Sequence, residues 1–129
     1  MNKILLVSPH FDDAILSAGQ LMAERPDTVV LTVFGGFPLD PENTHTPYDE
    51  KSGFKNAQEA VEARRWEDNL AVSMLRGQAI YLGFSDGQYN EYHLVDDIRD
   101  EIQRILDLGD YEAIYAPLGL DHPDHVLLS

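Results

Sequence analysis

The chain has no cysteine. That excludes a disulfide framework, a zinc ribbon and a thiol nucleophile, and any metal must be held by His, Asp or Glu. A reducing, cytoplasmic setting is the matching expectation. Basic residues are scarce: 9 Lys and Arg stand against 23 Asp and Glu, for a formal net charge of −14. A nucleic-acid partner calls for a basic patch, so none is expected. Solubility is the plain reading of this acidity, and attraction of a divalent cation is a minor addition. No apolar run approaches transmembrane length, and Ile4 to Val7 is too short for the core of a signal peptide, so no membrane partner is expected either. The first strand-to-helix turn lacks any G-x-G-x-x-G or P-loop pattern and carries acids where a phosphate would bind, which argues against a nucleotide-binding domain.

What is present suffices for one domain. The 129 residues, 43% of them hydrophobic, can bury a real core. Residues 3–8 form a continuous apolar run, the mark of a parallel strand buried on both faces. Residues 12–25 predict a helix ended by Pro26, and residues 28–34 a second strand. The stretch 35–55, with Gly35, Gly36, Pro38, Pro41 and Pro47, reads as a long irregular segment serving as a lid or binding loop. A helix over 56–76 follows, with Gly77 where a C-cap belongs. Then come a strand over 79–82, a loop over 84–90, a helix over 93–108 closed by Gly109, and a strand over 112–116. Strands alternating with helices predict an α/β fold, a Rossmann-like three-layer sandwich with a mainly parallel sheet. An order of 3-2-1-4 would place the first and fourth strands side by side where strand order reverses, the point at which such sheets bind ligands.

Two polar motifs fall at the carboxyl ends of those two strands: Pro9-His10-Phe11-Asp12-Asp13 and His122-Pro123-Asp124-His125. His10 and Asp13 can point at one ion across a tight turn, and His125 can complete a two-His-one-carboxylate set that leaves a position open for water. Asp12, beside the ion without binding it, suits a general base. Singly, each has a plainer role. Asp12 or Asp13 fits an N-cap. His10, His122 and His125 fit hydrogen-bonded loop histidines. Arg64 fits a solvated helix arginine paired with Asp68 at i,i+4, and Trp66 fits packing as well as sugar stacking.

Together these segments resemble a known family. Ser8-Pro9-His10-Phe11-Asp12-Asp13 is similar to the (A/S)-H-P-D-D type signature of the LmbE-like (PIG-L) zinc-dependent N-acetyl-sugar deacetylases, with Pro-His-Phe in place of His-Pro. His122-Pro123-Asp124-His125 matches the family's second motif, Arg64-Arg65-Trp66-Glu67-Asp68 resembles its R-x-x-E helix, and Ser85-Asp86-Gly87 its D-G turn. The resemblance spans the chain as one domain, 1–129, that lacks the family's usual C-terminal part. It implies zinc ligands at His10, Asp13 and His125, a general base at Asp12, and an oxyanion-stabilising or proton-donating His122 oriented by Asp124. It also implies a sugar-binding role for Arg64. The implied activity is removal of an N-acetyl group from an amino-sugar conjugate by a metal-activated water. Zn2+ is the implied cofactor, and Fe2+ or Mn2+ suits a His/Asp site nearly as well. The open edge of the fourth strand leaves homo-oligomerisation as an expectation. A metal- or sugar-binding fragment without turnover is the rival reading.

Overall fold

The computed structural model describes residues 3–11, 13–25 and 27–116. Four strands, β1 (Lys3–Ser8), β2 (Val29–Thr32), β3 (Gln78–Tyr81) and β4 (Tyr111–Tyr115), form one sheet. Its order is β3-β2-β1-β4, with every pairing parallel. Four helices accompany it: α1 (Asp13–Glu24), α2 (Pro47–Lys51), α3 (Ala57–Met74) and α4 (Val95–Leu108). The expected order and parallel architecture are both present.

The apolar run of β1 is continuous because each face of the sheet meets its own helical layer. Leu5 and Val7 face the cluster containing Val29, Leu31, Ile98 and Ile105, which packs α4 on one side. Ile4 and Leu6 face the cluster of Met22, Val30 and Val72, which packs α1 and α3 on the other. Alternate residues of one strand therefore serve opposite cores. β4 is less covered, with Ile114 and Tyr115 about half exposed. Among the described residues no helix is long and apolar enough to cross a membrane.

Two expectations need correction. The segment 35–55 is not irregular throughout, because it contains α2. Thr46 caps that helix by accepting the Asp49 N–H at 3.1 Å, and Pro47 occupies its first turn. Gly77 is not the C-cap of α3. The helix ends at Met74 with Leu75 as cap, and Arg76 takes the left-handed conformation at φ +62°. The Arg76 and Gly77 N–H groups then bond the Ser73 and Val72 carbonyls, a Schellman closure. Gly77 is required for a different reason: a Cβ there would lie 2.9 Å from the Thr28 carbonyl oxygen.

The chain is drawn together beyond the carboxyl ends of the strands. Val33 and Phe34 N–H groups bond the Ser8 and Pro9 carbonyls, and the Gly36 N–H bonds the Phe84 carbonyl, each at 2.9 Å. Gly36 approaches the Gly83 backbone so closely that a Cβ would meet it at 2.2 Å. The loops after β1, β2 and β3 thus converge on one place.

Candidate active site and metal centre

A cavity of about 800 Å³ opens at this convergence. It is lined by His10 and Asp13 from the first turn, Arg64 and Glu67 from α3, and Asp86 and Tyr89 from the turn after β3.

Local hydrogen bonds set the first turn. Ser8 Oγ donates to the His10 carbonyl at 2.7 Å, and the His10 N–H donates to Asp13 Oδ2 at 2.9 Å. Asp13 opens α1, so its carboxylate is fixed by the helix behind it and the bond in front. His10 Nδ1 lies 3.6 Å from Asp13 Oδ2, while His10 Nε2 lies 3.3 Å from Asp86 Oδ1. Two donors on one tetrahedral ion stand roughly 3.4 Å apart, so the Nδ1 and Oδ2 pair has the spacing of two ligands to one metal. No group of three potential ligands occurs among the described residues. The expected third ligand, His125, lies outside them, as do Asp12, His122 and Asp124.

Asp86 is held on both oxygens. Gln88 Nε2 donates to Oδ2 at 3.1 Å, and Thr46 Oγ1 donates to Gln88 Oε1 at 2.6 Å. Burial alone would raise the Asp86 pKa. The hydrogen bond and charge of His10, with the Gln88 bonds, outweigh burial and hold it below the usual carboxylate range.

Arg64 lines the cavity from α3. It is not a solvated helix arginine, for its side chain is only 19% exposed and Nη1 donates to Asp49 Oδ1 at 2.7 Å. Its guanidinium lies 5.1 and 5.2 Å from the Tyr48 and Phe54 ring centres. Asp49 is fully buried and also accepts from the Tyr89 hydroxyl at 2.7 Å. Asp68, the partner expected for Arg64, accepts from the Tyr81 hydroxyl at 2.8 Å. Trp66 is 68% exposed and lies outside the cavity lining.

The sequence therefore located His10, Asp13 and Arg64 at one cavity but missed Asp49, Gln88 and Tyr89. The Thr46-Pro47-x-Asp49 pattern, an N-cap followed by proline, is the signal that marks the turn bearing Asp49. Nothing local marks its partner forty positions on.

The fold and this cavity define a parallel α/β domain with an imidazole- and carboxylate-lined cleft at the carboxyl ends of its strands. The chain belongs to the GlcNAc-PI de-N-acetylase (PIG-L) family, which it matches over residues 5–129. No curated protein matches it. Among solved structures, it is similar to a triple mutant of a deacetylase involved in the teicoplanin biosynthetic pathway, at 30% identity and TM-score 0.83 over 98% of this chain and 56% of that one. The A40926 pseudoaglycone deacetylase is similar at 30% identity and TM-score 0.82, over 97% of this chain and 55% of that one. A zinc-inhibited form of teicoplanin deacetylase is similar at 25% identity and TM-score 0.82, over 98% of this chain and 60% of that one. The chain thus spans less than two thirds of these structures.

Proposed function

We propose that the protein is a metal-dependent amide hydrolase that removes an N-acyl group, in the simplest case acetyl, from an amino-sugar conjugate. The observation that carries this reading is the pairing of His10 Nδ1 with Asp13 Oδ2 at 3.6 Å, in a cavity that Arg64 also lines. Family membership and the deacetylases among the similar structures support it.

His10, Asp13 and His125 would hold the ion. Zn2+ is the proposed metal, and Fe2+ or Mn2+ suits the same donors. When bound, a divalent ion at these donors supplies the Lewis acidity that makes water a nucleophile near neutral pH. The chain's own groups do the rest. Asp12 takes a proton from the attacking water. His122, oriented by Asp124 and carrying a proton of its own, stabilises the oxyanion and donates that proton to the leaving amine, the proton taken by Asp12 going back to solvent or to His122 as carboxylate and free amine separate. Arg64 binds the sugar: one arm is fixed on Asp49, and the residue lines the cavity with donors to spare. A cytoplasmic setting fits the absence of cysteine.

The test is acetate release from an N-acetylglucosamine conjugate by zinc-loaded protein. Asp12→Ala is expected to retain zinc, measured by metal analysis, and to lose turnover by at least about 100-fold. Undiminished turnover in that variant overturns the assignment of the base. The rival reading, a metal- or sugar-binding fragment, draws on the 55–60% of the similar chains that this one spans. Tight zinc binding without acetate release in the unmodified chain selects it.

A further inference from the structure

We propose that Asp86 is a positioning residue for His10: it keeps the imidazole proton on Nε2 and thereby presents Nδ1, unprotonated and correctly aimed, to the ion. This rests on the reading of His10 and Asp13 as metal ligands.

A neutral ring carries one proton, and a metal binds the nitrogen without it, so the partner of the far nitrogen decides which face is offered. His10 sits between two carboxylates, with Nδ1 3.6 Å from Asp13 Oδ2 and Nε2 3.3 Å from Asp86 Oδ1. Only the first carboxylate belongs to the helix that follows β1. The second arrives from the turn after β3, two strands away in the sheet. It meets the other nitrogen of the ring.

The restraint on Asp86 separates this contact from a casual one. Its Oδ2 accepts from Gln88 Nε2, Gln88 Oε1 accepts from Thr46 Oγ1, and Thr46 Oγ1 also caps α2. Rotating the carboxylate away from His10 would break this run of bonds into the neighbouring loop. The ring is steadied in turn by Phe34, whose centre lies 6.0 Å away. A carboxylate fixed on one oxygen, with the other 3.3 Å from an imidazole nitrogen, has the make-up of a carboxylate–histidine–metal arrangement. Ser85-Asp86-Gly87 thus serves as a brace at the metal rather than only as a turn.

Two measurements test the proposal. In metal-free, 15N-labelled wild-type protein, taken to a pH beyond which the His10 nitrogen shifts no longer change with added base, those shifts should show the proton on Nε2. A proton on Nδ1 overturns the inference without any variant being made. By calorimetry, Asp86→Ala should bind Zn2+ roughly 10–100-fold more weakly than wild type. Affinity within about twofold of wild type overturns the positioning role. His10→Ala separates the two levels. Wild-type affinity in that variant overturns the metal site itself, whereas lost binding there beside intact binding in Asp86→Ala overturns only the part given to Asp86.

Discussion

Asp49 and Tyr89 show what a single buried contact contributes. Asp49 is wholly enclosed, and its two oxygens are taken by Arg64 and by the Tyr89 hydroxyl. Burial, and then the bond to Asp49, push the Tyr89 phenol well above its ordinary range. A pKa raised in the folded state means that the protonated phenol stabilises the fold. That stability is fully present below the unfolded tyrosine pKa of about 10 and is lost as pH rises above it. Tyr89→Phe should therefore be less stable than wild type by about 2 kcal/mol at neutral pH, the worth of a hydrogen bond to a charged acceptor. The gap should narrow progressively above about pH 10. Urea unfolding of both proteins across that range checks it, and a gap that stays constant into alkali rules out the proposed linkage. At this scale the sequence was partly legible. His10, Asp13 and Arg64 carry side chains whose chemistry announces itself. Asp49 does not, because a carboxylate on an exposed-looking, proline-flanked stretch gives no sign of the arginine and phenol that enclose it.

At the scale of elements, the hydrophobic pattern located each strand and the three long helices among the described residues, while the ends and the short helix depended on finer chemistry. Five residues are too few for a 3.6-residue period to register, so α2 was legible only through Thr46 and Pro47 as cap and first-turn signals. The end of α3 is more instructive. A glycine near a helix end suggests the left-handed position, yet here Arg76 occupies it and Gly77 answers to the Thr28 carbonyl alongside. The two neighbours should respond in opposite senses. Arg76→Gly relieves a left-handed residue with a Cβ, a cost of about 1–2 kcal/mol, against a smaller gain in unfolded-state freedom. A net stabilisation of roughly 0.5–1 kcal/mol is expected. Gly77→Ala drives a methyl against the Thr28 backbone and the Val72 side chain and should destabilise by about 1–3 kcal/mol. Thermal unfolding of the pair decides the matter, since a cap at Gly77 would make Gly77→Ala harmful and leave Arg76→Gly neutral or harmful.

For the whole molecule, strand order was legible because it needs only alternating strands and helices with right-handed crossovers, and the sheet has that order. The topology has a thermodynamic consequence. His10 stands at the end of β1, with Asp13 on the helix that follows, and Asp86 comes from beyond β3. The unfolded chain does not hold these donors together, so an ion bound by the native cavity stabilises the entire fold by linkage. Free Zn2+ at about 100 times its dissociation constant adds about 2.7 kcal/mol. For a domain of this size that corresponds to a rise in Tm of roughly 10 °C. A formal net charge of −14 complicates the comparison, because any divalent cation also screens repulsion among surface carboxylates. Mg2+ at equal concentration controls for this, since it shares the charge but favours oxygen donors in octahedral geometry over imidazole. Zn2+ should raise Tm well beyond Mg2+ in the wild type. The excess should vanish on chelation and in His10→Ala, while the response to Mg2+ should be the same in both proteins. Equal shifts from the two ions would mean that the acidic surface, not a cavity built from distant segments, is what the metal recognises.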